Sequence, residues 1–427
     1  MSTQSDKVIG SHSLFRAFAY RNYRLFWSGQ AVSLIGSWMQ RVAMAWLVYK
    51  ITRSPLMLGL MEFAGQIPAF LLAPLAGVYL DRWNRLRILL IAQTLLMTQA
   101  LLLAVLVLSD WITIWQLFTL NVAFGLINAF DQPARQAILH DIIERREDIG
   151  NAIALNSSMF NAARLIGPSI AGIIIALIGE GWCFLINGIT FVAVIVALLL
   201  IRTAQTVTEH TQLAIWASIR QGWHYAYRTF PIRTVIIVLT LVSLVGNPYA
   251  VLLPVLAKDV FHGEATVLGF LTAATGIGAL YGAFHLARRR TVLGLERLMF
   301  VAVFAVAAAF IMIFLWQNYY LALFFLVFVG FGLMTVYASG NTLLQSIAEE
   351  DKRGRVLALY TMTFQGMTPF GSLMAGGLAK KWGAPATFLM VGVVLLISAG
   401  IYALFIPRMQ RHILHFYKKD ELKRLQH

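Results

Sequence analysis

"PLAGVYLDRWNRLR", residues 74–87, decides how the rest of the chain is read. A nearly unbroken apolar run from Leu56 stops at Leu80. Four charges follow within seven positions (Asp81, Arg82, Arg85 and Arg87), and a second apolar run starts at Ile88. Of the 427 residues, 59% are hydrophobic and 12% charged, about half the charged share of a soluble domain. Apolar runs of spanning length recur to the end of the chain, and in hydrocarbon a helix satisfies every backbone amide within one segment. The expected fold class is an all-α polytopic membrane protein, with 81–87 a short connection between two spans.

The runs and their charged interruptions predict twelve spans, near 24–49, 56–80, 87–109, 112–134, 152–178, 182–202, 233–257, 266–287, 297–315, 319–344, 356–379 and 386–407. With the N-terminus inside, 27 of the 34 basic residues fall in inner segments and five in outer loops, leaving Arg41 and Arg164 within spans. The positive-inside rule then puts both termini in the cytoplasm. The same bias explains a net charge of +15 without nucleic acid as a partner. The first 24 residues are polar and basic, with no signal peptide. A single cysteine, Cys183, excludes an intrachain disulfide. With no P-loop and no ligand set at metal spacing, neither enzyme chemistry nor a cofactor or metal is expected.

The longest internal connection, 203–232, separates an N-terminal half (1–202) from a C-terminal half (233–408), with a cytoplasmic tail over 409–427. An internal repeat supports that division. "IALNSSMFNAARLIGPSIAG" (153–172) aligns with "LALYTMTFQGMTPFGSLMAG" (357–376) at an offset of 204, with Phe160 matching Phe364, Gly167 matching Gly371 and Gly172 matching Gly376. Duplicated six-span halves suit a transporter with its site between them.

The opening stretch, Gly77 followed by Asp81-Arg82, Arg85 and Arg87 between spans 2 and 3, resembles the hallmark loop of the major facilitator superfamily. Asn84 stands where a glycine is usual. "GSWMQRVAMAWLVYKITRSPLMLGL" (36–60), 131–172 and "NPYAVLLPVLAKDVFHG" (247–263) narrow the resemblance to its drug-antiporter and siderophore-exporter branch. It implies a major-facilitator fold, twelve helices around a central cavity. "GPSIAG", with Gly167, Pro168 and Gly172, is similar to the superfamily's antiporter motif, although Ala163 and Ala171 replace glycines in it. Small residues at that spacing also let helices approach closely, and Pro168 frees a carbonyl. For the opening stretch the resemblance implies a cytoplasmic gate built from Gly77, Asp81, Arg82 and Arg85, with Arg85 reaching Asp131 on span 4. The alternative is that these arginines only set topology.

Of 19 carboxylates only Glu62 lies well inside a span. At a rise of 1.5 Å per residue, Arg41, Arg164 and Glu62 fall at similar depths, about 20–24 Å above the inner surface. Two roles are open for Glu62. Desolvated and unpaired, it carries a proton for antiport; beside Arg41, it is a buried counter-ion that leaves Arg164 for an anionic substrate. Gln40, Gln66, Asn128, Asn161, Asn247 and Gln365 are the other polar candidates for substrate contact, equally able to join helices. The chain is thus expected to be a monomeric exporter in a bacterial inner membrane, moving a siderophore or amphipathic drug-like molecule against protons. A lysophospholipid flippase, or a non-transporting membrane receptor on the same fold, is the alternative.

Overall fold

The computed structural model describes residues 15–202, 215–289, 291–350 and 352–424; within these, the side chains of residues 73–75, 77–78, 81–82, 215–219 and 415–424 lie outside the description. The described residues are helical, without strands. We number the spans α1 (Arg21–Thr52), α2 (Pro55–Arg82), α3 (Arg85–Leu108), α4 (Ile114–Ala137), α5 (Arg146–Ile178) and α6 (Glu180–Leu200). Next come α7 (Phe230–Val260), α8 (Ala265–Ala287), α9 (Leu295–Leu315) and α10 (Tyr319–Ile347). The last helix, Arg353–Arg424, runs without a loop through both remaining predicted spans. Only the left-handed Gly383 (φ 82°) divides it, into α11 (353–382) and α12 (384–424). Among the described residues ten helices are long and apolar enough to cross a membrane. The divided last helix and the 24-residue α4, whose Gln116, Asn121, Asn128 and Asp131 lower its hydropathy, complete the twelve.

Local chemistry fixes the ends. Ser54 caps α2 by accepting the Met57 amide, with Pro55 in the first turn. Asn84 adopts an extended backbone (φ −63°, ψ 109°) rather than the left-handed turn its position suggests, and its side chain caps α3 through the Arg87 amide at 2.9 Å. Thr113 and Gln116 form a reciprocal capping box on α4. α7 departs from the regular pattern twice, with π-turns over Val242–Gly246 and Leu256–Val260. The first precedes Pro248, whose missing N–H already interrupts the ladder.

In the N half α1 packs on α5 and α6, α2 on α4, and α3 on α4 and α6; in the C half α8 and α9 pack on α10, and α9 on α12. Two crossings, α5 with α8 and α2 with α11, join the halves. The repeat in the sequence marks both. Gly172 of α5 lies so close to α8 that a Cβ there would come within 3.0 Å of the Ala265 carbonyl, while one on Gly376 of α11 would lie 2.6 Å from the Pro55 carbonyl of α2. The other matched pair, Gly167 and Gly371, abuts Trp38 of α1 and Leu244 of α7. Apolar interfaces in lipid gain from such close backbone approach, and a side chain would prise the helices apart.

Candidate functional site

The α5–α8 contact runs from Gly172 down to Leu165, which faces Gly276. Below it the helices part around a cavity of 670 Å³, lined by Ser157, Ser158 and Asn161 on α5, Phe284 on α8 and Met334 and Ala338 on α10. The space between the halves therefore opens towards the face that carries the chain termini.

Arg164 sits one helical turn above Asn161. Its Nη2 donates to the Tyr249 hydroxyl of α7 at 3.0 Å, a bond across the two halves. Its guanidinium carbon lies 5.7 Å from the centre of the Trp38 ring. Arg41 stacks on the same indole at 4.6 Å and is exposed although it lies deep within α1. Phe160 meets Trp38 edge-on at 5.6 Å. In the C half, Tyr337 of α10 and Phe364 of α11 pack at 4.5 Å and Tyr360 lies over Phe364. Among the described residues no carboxylate comes within 4.0 Å of either arginine. Two cations thus meet one aromatic ring, where cation–π attraction holds the guanidinium groups and leaves N–H donors for an anion. The buried Arg164 Nε has no partner.

Of the two roles open for Glu62, the ion pair with Arg41 is not seen among the described residues. Glu62 instead accepts a short hydrogen bond from Gln66, one turn along its own helix, and Arg41 turns to Trp38. Gln40 is buried inside the N half, donating to Gln99 at 3.1 Å and accepting from Asn187 at 2.7 Å. A fully engaged buried amide of this kind joins helices. Asn128 and Asn161 donate to carbonyls of their own helices, Phe124 and Ser157, though Asn161 also lines the cavity. Asn247 bonds Thr368 between α7 and α11 at 3.1 Å, and Gln365 is half-buried without a side-chain hydrogen bond. Gly167, Pro168 and Gly172 lie at helix contacts: a Cβ on Gly269 of α8 would meet the Pro168 carbonyl at 2.6 Å.

On the termini side, Gly77, Asp81 and Arg82 belong to α2, with side chains outside the described set. Arg85 does not reach Asp131. It pairs with Asp141, in the short helix Leu139–Ile142 after α4, at 2.9 Å. Asp131 is fully buried and already taken: Gln93 donates to it at 2.6 Å and Arg135 pairs with it one turn along α4. Burial raises the Asp141 carboxyl above its ordinary range, an effect that Arg85 only partly offsets.

The opposite side is shut by contacts that the sequence reading placed only in outer loops. Tyr49 at the end of α1 donates a short hydrogen bond to Asp259 of α7, and Arg53 lies 3.9 Å from the same carboxylate. Lys258 approaches the Trp46 ring at 5.7 Å, and Lys50 pairs with the buried Glu180 at 3.0 Å within the N half. Trp38 and Tyr249 were missed because nothing in a linear sequence separates a cavity aromatic from a lipid-facing one. Asp259 was missed because its partners Tyr49 and Arg53 lie far off along the chain, Tyr49 by 210 residues.

Comparison with known proteins agrees with this architecture. A family model described as transmembrane secretion effector matches residues 12–418. The chain is 25% identical over 372 residues to the staphyloferrin A transporter of Staphylococcus aureus, covering 87% of this chain and 92% of that protein. It is 27% identical over 383 residues to the multidrug efflux pump Tap of Mycolicibacterium fortuitum, covering 88% and 93%. Its fold matches the inward-facing, unoccupied structure of a bacterial homologue of the human lysosomal transporter Spinster, with a TM-score of 0.70, 13% identity and coverage of 93% and 98%. The chain belongs to the transmembrane secretion effector family, within the major facilitator superfamily of transporters.

Proposed function

We propose that the protein exports a small organic anion of the siderophore-like chelator class by alternating access, in exchange for a proton. One observation carries the reading: Arg41 and Arg164 both lie over the ring of Trp38, Arg164 one helical turn above the cavity-lining Asn161, without a carboxylate within 4.0 Å of either among the described residues. Two uncompensated cations in low dielectric are costly, and a carboxylate-bearing substrate supplies the missing charge. The Tyr249 bond to Arg164 ties that substrate site to the relation between the halves. Family membership in the transmembrane secretion effectors, and relatives named a staphyloferrin A transporter and a multidrug efflux pump, support transport outward. We assign the exchanged proton to Glu62, which has Gln66 rather than a cation as its neighbour. The termini face is the cytoplasmic one in this reading, as the inner bias of basic residues supports.

Inside-out vesicles with an imposed proton gradient test this. A radiolabelled hydroxycarboxylate chelator should accumulate in vesicles holding the wild-type protein. Glu62→Gln should abolish the dependence on the gradient while leaving exchange of labelled for unlabelled chelator. Gradient-driven uptake of a cationic amphiphile with none of the chelator would overturn the proposal.

A further inference from the structure

The helix Ile215–Arg228 precedes α7 on the termini side, and its Ala226 and Gly222 are buried, the latter against Arg355 of α11. Trp223 (48% exposed) and Tyr227 (70% exposed) point outward from this helix, and Phe405 of α12, next to the outward Leu404, packs on Phe230 at 5.8 Å. An amphipathic helix of this kind, with aromatic residues outward at the end of a span, lies at the membrane–water boundary.

Two arginines, Arg233 and Arg408, meet on Phe230 where this helix, α7 and α12 come together. Arg233 stands over the rings of Tyr227 (5.3 Å) and Phe230 (5.8 Å), and Arg408 over Phe230 at 4.4 Å. Arg228, the last residue of the linker helix, is exposed, and His412 packs on Phe230 at 5.7 Å. Arg233 uses one N–H, on the Tyr227 carbonyl at 3.4 Å. Among the described residues, no carboxylate lies within 4.0 Å of Arg228, Arg233 or Arg408. The aromatic faces hold the guanidinium planes while the remaining N–H groups stay available. That is the arrangement a phosphate oxygen pair accepts from.

We propose that this junction of the linker helix, α7 and α12 seats the headgroup of an anionic phospholipid. Charge complementarity and position select that occupant. The cations cap a lipid-facing apolar wall, so the acyl chains have a place to lie below the phosphate. A choline headgroup would bring its own cation against the arginines, which disfavours zwitterionic lipid.

Native mass spectrometry of the full chain, released from bilayer discs of phosphatidylglycerol or phosphatidylcholine, reads this directly. Wild type should retain phosphatidylglycerol in preference to phosphatidylcholine. The Arg233→Gln/Arg408→Gln variant should bind phosphatidylglycerol roughly 30-fold more weakly, about fivefold for each arginine near an anionic surface. The single Arg408→Gln variant, on the exposed side, should show the fivefold step alone if the double variant is poorly folded. Equal retention of the two lipids by wild type, or no loss in a folded variant, would overturn the proposal. So would displacement of the lipid by millimolar inorganic phosphate, which would make this a site for soluble anions.

Discussion

Arg164 of α5 and Tyr249 of α7 are bonded across the two halves at 3.0 Å, directly above the cavity. The group best placed to recognise an anion is therefore also part of the contact that must rearrange when the halves rock. Alternating access needs a two-state element that both substrate and conformation bias. Here the same guanidinium serves both, and an arriving carboxylate competes with a tyrosine hydroxyl.

The shut side should yield to loss of Asp259. Tyr49 and Arg53 converge on that carboxylate from the other half, but Arg53 is largely exposed, so solvent screening keeps the ion pair weak. Asp259→Asn should raise the population open on that side a few-fold. Spin labels at Ser157 and Ala338, which face the cavity, should then report a larger fraction of short distances. An unchanged distance distribution would remove Asp259 from the gate.

Two glycine substitutions should differ in sign. A Cβ on Gly269 would meet the Pro168 carbonyl at 2.6 Å and the Gly172 Cα at 2.9 Å, both backbone atoms that cannot swing aside. Gly269→Ala should cost about 1–3 kcal/mol in thermal stability by overpacking. At Gly377 nothing lies within 4 Å of the added carbon, and Gly377→Ala should be neutral or gain up to about 1 kcal/mol from helix propensity. Equal effects at the two positions would refute the close α5–α8 crossing.

Asp141 gives a pH dependence with a definite sign. Burial raises its carboxyl above the ordinary 3.8, with Arg85 opposing. The folded chain thus holds this proton more tightly than the unfolded chain does. Its contribution to stability is full below 3.8 and is lost as pH rises through the raised value. Melting curves of wild type and Asp141→Asn across that window should show the variant flatter, with the wild type falling relative to it on the alkaline side.

The spans and the duplicated glycines were legible in the sequence because lipid imposes a length and a composition on any helix that crosses it. The repeat showed a duplication, and the structure adds that its paired Gly172 and Gly376 lie at the two main crossings between the halves. The polar partners were not legible in the same way. Gln40 bonds Asn187, 147 residues away, and Arg85 selects Asp141 over Asp131 because the short helix after α4 brings one acid to it while Gln93 and Arg135 occupy the other. Depth along a helix placed Glu62, Arg41 and Arg164 at one level, but depth carries no azimuth. Arg41 faces Trp38, and Glu62 keeps to Gln66 on its own helix.

The account rests on anion recognition by the two arginines that share Trp38, and equilibrium binding of a hydroxycarboxylate chelator to purified protein tests that most directly. Wild type should bind the free acid and reject its neutral ester. Arg164→Gln should weaken binding about tenfold or more, the loss of a charge-assisted hydrogen bond, and Arg164→Lys should restore part of it. Equal affinity for acid and ester, or an Arg164→Gln variant that binds like wild type, would contradict the assignment.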